Sequence, residues 1–240
     1  MTPVETIRTA LSKHLVDDDG RQVTLKLLPG MTEEEIDGFE RSLPTRLPDS
    51  VRDLLRMCRG IYGVLEGIDF TGESMDFEQA DVFPHGLPIA HDGYGNFWVV
   101  DLTPESSDWG PIYFACHDAP VILYQSDDLS AFLTEVFRML EPPHQSLVDD
   151  VHEDRLCNVW GTNPGTVAAA EAEESGDSRL AAFAEALGEG WFVTDLRNAT
   201  PGQGFSWGRF GPQTEIRRDG IRPIFAYKKS PRKKLFGLFG

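Results

Sequence analysis

The sequence predicts a protein that mixes helices with a strand-rich centre, and three observations carry that expectation. Residues 31–58 hold two helical patterns with cap signals, residues 91–126 hold three runs dense in aromatic and β-branched residues, and LSAFLTEVF (129–137) returns to helical spacing. In NFWVVDL (96–102) apolar side chains fall on both strand faces, as a strand covered on both sides requires. GPIYFAC (110–116) and PVILYQ (120–125) are shorter runs of the same kind, each with an early proline that cannot donate to a ladder. The turn HDGYG (91–95) carries Asp-Gly, where glycine accepts a positive φ without steric cost. Asp127 and Asp128 follow the last run at the expected start of the helix.

From the N-terminus, residues 3–16 predict an amphipathic helix with Val4, Ile7, Leu11 and Leu15 on one stripe. A polar DDDG turn leads to VTLKLLPG (23–30), a strand ending in a Pro-Gly turn. In MTEEEIDGFERSLP (31–44), Thr32 and Glu35 form a capping-box pattern, and Glu33 and Glu34 suit the positive end of the helix dipole. Ile36, Phe39 and Leu43 make the buried stripe, and Pro44 ends the helix. A second helix starts near Pro48-Asp49, with Leu47, Val51, Leu54, Leu55 and Cys58 spaced to face a core, and Gly60 and Gly63 close it.

After the central strands and their helix, Pro142-Pro143 and the acidic VDDVHED (148–154) mark a boundary, although Leu147, Val148 and Val151 fit a further helix. Residues 163–190 are alanine-rich and helical on either side of a Ser-Gly-Asp break. WFVTDL (191–196) reads as a strand, TPGQGFSWGRFGP (200–212) as a glycine-rich loop and RPIFAY (222–227) as a final strand. The expected organisation is a main domain over 1–144, an α/β extension over 145–227 and a basic flexible tail over 228–240. The extension either completes the main domain's sheet or stands as a second small lobe, the second being favoured.

Three cysteines, Cys58, Cys116 and Cys157, are odd in number and not closely spaced, which argues for a reducing compartment. The N-terminus has no apolar core of signal-peptide length, and no run of about 18 apolar residues occurs. A cytoplasmic protein is expected. The net charge of −17 is uneven: Lys228, Lys229, Arg232, Lys233 and Lys234 sit in the tail, so residues 1–227 carry a net −22. Between Arg59 and Arg138 there is no Lys or Arg, against 14 Asp and Glu. Such a segment repels nucleic-acid phosphates and speeds association with cationic partners, so no nucleic acid is expected. A merely solvated acidic surface is the alternative. The tail joins its bases to Leu235, Phe236, Leu238 and Phe239, but it is too short for stable membrane association.

Several chemical patterns fail on inspection. Gly204-Phe205-Ser206-Trp207-Gly208 matches the nucleophile elbow G-x-S-x-G, yet Pro212 interrupts the segment after it and the last histidine, His152, precedes it. The same stretch lacks the third glycine of a dinucleotide fingerprint. In Cys116-His117-Asp118, adjacent strand residues point to opposite faces, so a buried Cys116 and a solvent-facing His117 are expected rather than a dyad. His144, His152 and Cys157 do not have zinc spacing. No metal and no cofactor are expected. Tyr94, Trp109 and Tyr124 lie in or beside acid-rich turns, where they are either hot-spot aromatics or, for Trp109, a hairpin staple.

The segment LLPGMTEEEIDGFERSLPTRLPDSVRDLLRMCRG (27–60) resembles the N-terminal signature of the SUKH superfamily, which includes fungal cell-wall-synthesis regulators and bacterial toxin-immunity proteins. Glu40, the Leu47-Pro48 step, Leu54-Leu55 and Gly60 fill the places of that signature. PIAHDGYGNFWVVDL (88–102) is similar to the family's central hairpin, GPIYFACHD (110–118) to its next strand and SDDLSAFLTEVF (126–137) to its closing helix, so the resemblance spans residues 25–140. It departs at CRGIYG (58–63), where members often carry Asn-Gly. The resemblance implies an α+β fold, a mainly antiparallel sheet packed by helices, with no enzymatic activity. It further implies a protein-binding role: an immunity protein neutralising a basic toxin domain, a nuclease being the attractive case, or a regulatory scaffold. The candidate partner contacts are Asp92, Tyr94, Asp101, Glu105, Asp108, Trp109, Asp118, Asp127 and Asp128.

Overall fold

The structure is a computed structural model that describes residues 1–77, 79, 81–104, 109–207 and 214–229. It opens with α1 (Pro3–Leu11), β1 (Lys26–Leu27), α2 (Glu33–Ser42) and α3 (Asp49–Met57). Strands β2 (Gly60–Tyr62), β3 (Gly67–Asp69), β4 (Gly86–His91), β5 (Phe97–Asp101), β6 (Ile112–Ala115) and β7 (Val121–Ser126) follow, closed by α4 (Leu129–Arg138). The rest comprises α5 (Leu147–Asp149), a π-helical turn (Asp150–Arg155), α6 (Leu156–Thr162), β8 (Thr166–Ala168), α7 (Ala169–Glu173), α8 (Ser178–Leu187), β9 (Trp191–Asp195), β10 (Gly204–Ser206), β11 (Glu215–Arg218) and β12 (Ile224–Lys228). Among the described residues every strand pairing is antiparallel. One sheet runs β1-β2-β3-β4-β5-β6-β7-β10 and the other β11-β12-β9-β8. This is the expected α+β class.

Local chemistry sets the helices. Both Thr2–Glu5 and Thr32–Glu35 form reciprocal capping boxes, so each side chain satisfies an amide that the first helical turn leaves free. The expected stripe on the first helix is corrected: α1 ends at Leu11, which is exposed, and its buried face is Pro3, Thr6, Ile7 and Ala10. The cap at Thr2 fixes that phase. Leu15 still reaches the core, but from a turn whose carbonyl accepts from Val23 N at 2.9 Å. The stretch 200–212 is also corrected, because its residues Gly204–Ser206 form a sheet strand beside β7.

The both-faced apolar pattern of the central strands has a direct cause. Trp98, Val100, Ile112, Phe114, Val121 and Leu123 point to the face covered by α1, α3 and α4, whose Ile7, Leu54, Leu55, Phe132 and Val136 share that core. Their sequence neighbours Val99, Tyr113, Ala115, Ile122 and Tyr124 point the other way, onto Phe205 of β10, Phe225 and Tyr227 of β12, and Leu196. Each fully buried apolar side chain contributes roughly 1.5–3 kcal/mol. The extension thus does two things: it adds β10 to the large sheet and lays its own sheet across that sheet's second face. Asp101 and Arg218 fasten the two sheets, with Arg218 Nη1 and Nη2 donating to the Asp101 carboxylate at 3.0 and 2.6 Å. Among the described residues no helix is long and apolar enough to cross a membrane.

Candidate functional site

The structure sorts the candidate contacts into two exposed groups and a buried remainder. The first group sits at the β4–β5 hairpin tip. There the Asp92 carboxylate accepts from the amides of Tyr94 at 2.8 Å and Asn96 at 3.2 Å, and from Asn96 Nδ2 at 2.5 Å. This Asx-type turn holds the loop shut and throws Tyr94 into solvent, 82 % exposed. Asn96 Oδ1 in turn accepts from His117 N at 2.8 Å, which draws the β6–β7 turn, with exposed Asp118, alongside the tip. His152 from the π-helical turn brings Nε2 within 3.4 Å of Asp92 and lays its ring against Trp98 and Phe114. Asp92 is therefore mostly committed inside the tip, while Tyr94 and Asp118 face outward.

The second group sits where β7 passes into α4. Asp128 is the N-cap of α4 and accepts from Ala131 N at 2.8 Å. Asp127 accepts from the Tyr124 hydroxyl, and burial, with Asp127 beside it, holds that phenol well above its ordinary range. Gly110 packs so closely on this turn that a Cβ would lie 2.0 Å from the Asp127 carbonyl oxygen, so only glycine fits and Trp109 is delivered beside Asp127. Together Trp109, Asp127, Asp128, Pro48, Ser50 and Thr2 wall a hollow of about 420 Å³.

β7 separates the two groups. Its six residues span about 20 Å, so the exposed acids gather at opposite ends of the sheet rather than on one face. Three expectations are corrected. Asp101 is 2 % exposed and paired with Arg218, because β11 crosses the second face at that strand end. Burial pushes its carboxyl up, and the Arg218 guanidinium opposes that shift. Trp109 is 2 % exposed and packs edge-on against Phe39 at 6.3 Å, and Tyr124 is buried under the extension. Glu105 and Asp108 lie outside the described residues. Glu66, exposed beside Gly93 at the tip, was missed because the strands that bring it there are only three residues long.

The patterns set aside on sequence grounds take definite places. Cys116 is buried, its thiol pushed up by that burial, and His117 is exposed. Ser206 lies in the strand β10 rather than at a strand-to-helix elbow, and Asn163 brackets its backbone, accepting from Ser206 N at 3.0 Å and donating to Ser206 O at 2.9 Å. That bracket closes the outer edge of the large sheet.

The acids of the helical layer differ in kind. Glu33, Asp37, Glu40 and Asp53 are all engaged by Arg52 or Arg56, whereas Glu66, Asp118, Asp127 and Asp128 make no ion pair among the described residues. Glu40 also serves the backbone. Its Oε1 accepts from Leu47 N at 2.8 Å while Oε2 accepts from Arg52 Nη1 at 3.0 Å, which ties the Leu47-Pro48 step to the end of α2.

Comparison with known proteins agrees with that arrangement. The family model of the SMI1 / KNR4 family (SUKH-1) matches residues 30–135, from the turn before α2 into α4. No curated protein and no solved structure matches the chain. The matched span contains the Glu40 clamp, the central hairpin and the closing helix in the order seen here, so residues 30–135 are similar to the domain of that family.

Proposed function

We propose that this chain is a protein-binding immunity protein of the SUKH superfamily, which neutralises a basic toxin domain in the cytoplasm by stoichiometric occlusion. The match of residues 30–135 to the SMI1 / KNR4 family supports an immunity or regulatory role in general. The observation that carries the finer reading is electrostatic. Between Arg59 and Arg138 there is no cationic side chain of Lys or Arg, and the outward acids Glu66, Asp118, Asp127 and Asp128 stay unpaired among the described residues. A surface of unpaired carboxylates with an exposed tyrosine attracts a surface rich in Lys and Arg, and a nuclease's nucleic-acid cleft is such a surface.

The test is affinity capture from native lysate at low and high salt, followed by co-expression of the captured protein with wild type and with the D118K/D127K variant. One dominant basic partner, lost at high salt, whose toxicity wild type suppresses and the variant does not, is the expected result. A set of weak, salt-insensitive partners would overturn the immunity reading. A second reading, a regulatory scaffold joining cellular proteins, draws on the separation of the acidic groups by the length of β7, which suits two contacts made at once. It predicts several partners of micromolar affinity rather than one tight one.

A further inference from the structure

The end of β12 and the residues after it carry two chemistries that the proposed function does not use. Residues 228–240 hold Lys228, Lys229, Arg232, Lys233 and Lys234, and no acid follows Asp219. Directly behind that basic run come Leu235, Phe236, Leu238 and Phe239, bulky apolar side chains set among glycines. The folded body supplies the root of this segment. Lys228 and Lys229 stand exposed where β12 ends, and Arg217 stands exposed on the neighbouring strand β11. Arg217 and Lys228 lie over the ring of Trp191 at 5.9 and 5.8 Å, and Lys229 lies over that of Phe192 at 4.1 Å. Three cations thus gather at one end of the smaller sheet with aromatic faces beneath them. Glu215, the cross-strand partner of Lys228, is already engaged by Arg217 at 2.6 Å. The root is therefore basic, on a chain whose residues 1–227 carry a net −22.

We propose that residues 228–240 are a reversible tether to an anionic lipid surface, with the cations on the headgroup phosphates and the Leu and Phe side chains entering the boundary with the acyl chains. A nucleic acid would use the cations and leave four bulky apolar side chains in water, whereas an anionic bilayer takes both. Each Lys or Arg close to such a surface strengthens binding about fivefold, and the adjoining apolar side chains add a second signal of a different kind. The acidic body does not cancel this attraction. The eleven residues beyond Lys229 span up to about 36 Å when extended, several times the Debye length of about 8 Å at physiological salt, so the body can stand off where its charge is screened. The tether goes beyond the immunity reading and does not rest on it, since the acids offered to a toxin lie on other strands and turns.

Co-sedimentation of the full chain with lipid vesicles tests it. Wild type is expected to pellet with phosphatidylcholine vesicles containing phosphatidylglycerol at about 1 mM lipid and low salt, to be released at about 0.5 M salt, and to bind pure phosphatidylcholine at least about tenfold more weakly. R232E/K233E/K234E should bind the anionic vesicles at least about a hundredfold more weakly, and F236S/F239S at least about tenfold. Both sets of substitutions lie beyond β12, so each variant should keep the wild-type melting temperature. Equal binding to the two kinds of vesicle overturns the tether, as does no binding to the anionic ones. Wild-type affinity in F236S/F239S, with release by a single-stranded oligonucleotide, would make the segment a general polyanion site and overturn it too. Binding that appears only when D118K/D127K removes body acids would place the segment on its own body, which also overturns it. None of these failures touches the capture of a basic toxin, and failure of that capture leaves a positive vesicle result standing.

Discussion

The α2–α3 layer and the strand-rich segment after it are both acidic in sequence, but their charges do different work. On α3, Arg52 and Arg56 stand one turn apart and face the acids of α2, so Glu33, Asp37 and Glu40 are neutralised where they lie. Between Arg59 and Arg138 the segment itself has no Lys or Arg. One acid there, Asp101, receives Arg218 from 117 residues away and sinks into the interior, while Asp118, Asp127 and Asp128 stay in water. Acidity in a sequence therefore divides into charge that holds the fold and charge that is free to meet a partner. For Asp101 and for the acids of α2, arginines make that choice.

The largest effect is expected where the first kind of charge is most buried. Arg218→Met leaves the Asp101 carboxylate in the interior without its cation, and should cost about 3–5 kcal/mol in urea unfolding. Adding Asp101→Leu should recover much of that loss, since an apolar pair of similar volume replaces a desolvated ion pair at little net cost. A loss below about 1 kcal/mol for Arg218→Met alone would mean that the extension is held by Phe205, Phe225 and Tyr227 and not by this pair.

Next in size is the clamp at Glu40. Glu40→Ala leaves the Leu47 amide and Arg52 without their shared acceptor, with an expected cost of about 1–3 kcal/mol. Glu33→Ala, which breaks an exposed pair with Arg56 and a longer one with Arg52 at 3.9 Å, should stay below about 1 kcal/mol. Equal losses would erase the distinction between a carboxylate that satisfies backbone and one that only pairs at the surface.

How far these roles could be read from sequence depends on the range of the interaction. The capping box at Thr32, the stripe of α3 and the doubly covered strands were legible because each is a local pattern, as was the opposite facing of Cys116 and His117. The exposure of the candidate acids was not legible. Nothing near Asp101 announces Arg218, and nothing near Trp109 announces Phe39, which meets it across the fold. Strand β10 was hidden in a glycine-rich stretch because a Cβ at Gly204 would lie 2.2 Å from the Ile122 carbonyl oxygen; glycine there serves close approach and not a loop. The sequence also could not show that the acids fall at two ends of the sheet, since that depends on strand order.

Asp128 tests whether one residue can belong to both kinds. As N-cap of α4 it holds the Ala131 amide, so Asp128→Ala should cost about 1 kcal/mol by urea unfolding. Asp127→Asn keeps an acceptor for the Tyr124 hydroxyl and should change stability by less than about 0.5 kcal/mol. If Asp127→Asn is the more destabilising, the turn is built on its charge rather than on the cap.

The smallest stability effect is expected at the tip, and it makes the sharpest test of the comparison. Asp118 is exposed, makes no ion pair among the described residues and bounds a turn held by Asn96 and not by its own carboxylate. Asp118→Asn should therefore leave unfolding unchanged within about 0.5 kcal/mol. Its consequence should appear in kinetics with the captured partner, because a rim charge acts through the long-range field that guides encounter. The association rate should fall at low ionic strength and return to the wild-type value near 1 M salt, where the Debye length shrinks to about 3 Å, while dissociation stays unaltered. The combination of outcomes decides the matter. An unchanged association rate with unchanged stability would make Asp118 mere solvated surface. A loss of stability would move it into the class of acids that hold the fold, and the division drawn between the two regions would fail at the position where it is most exposed to test.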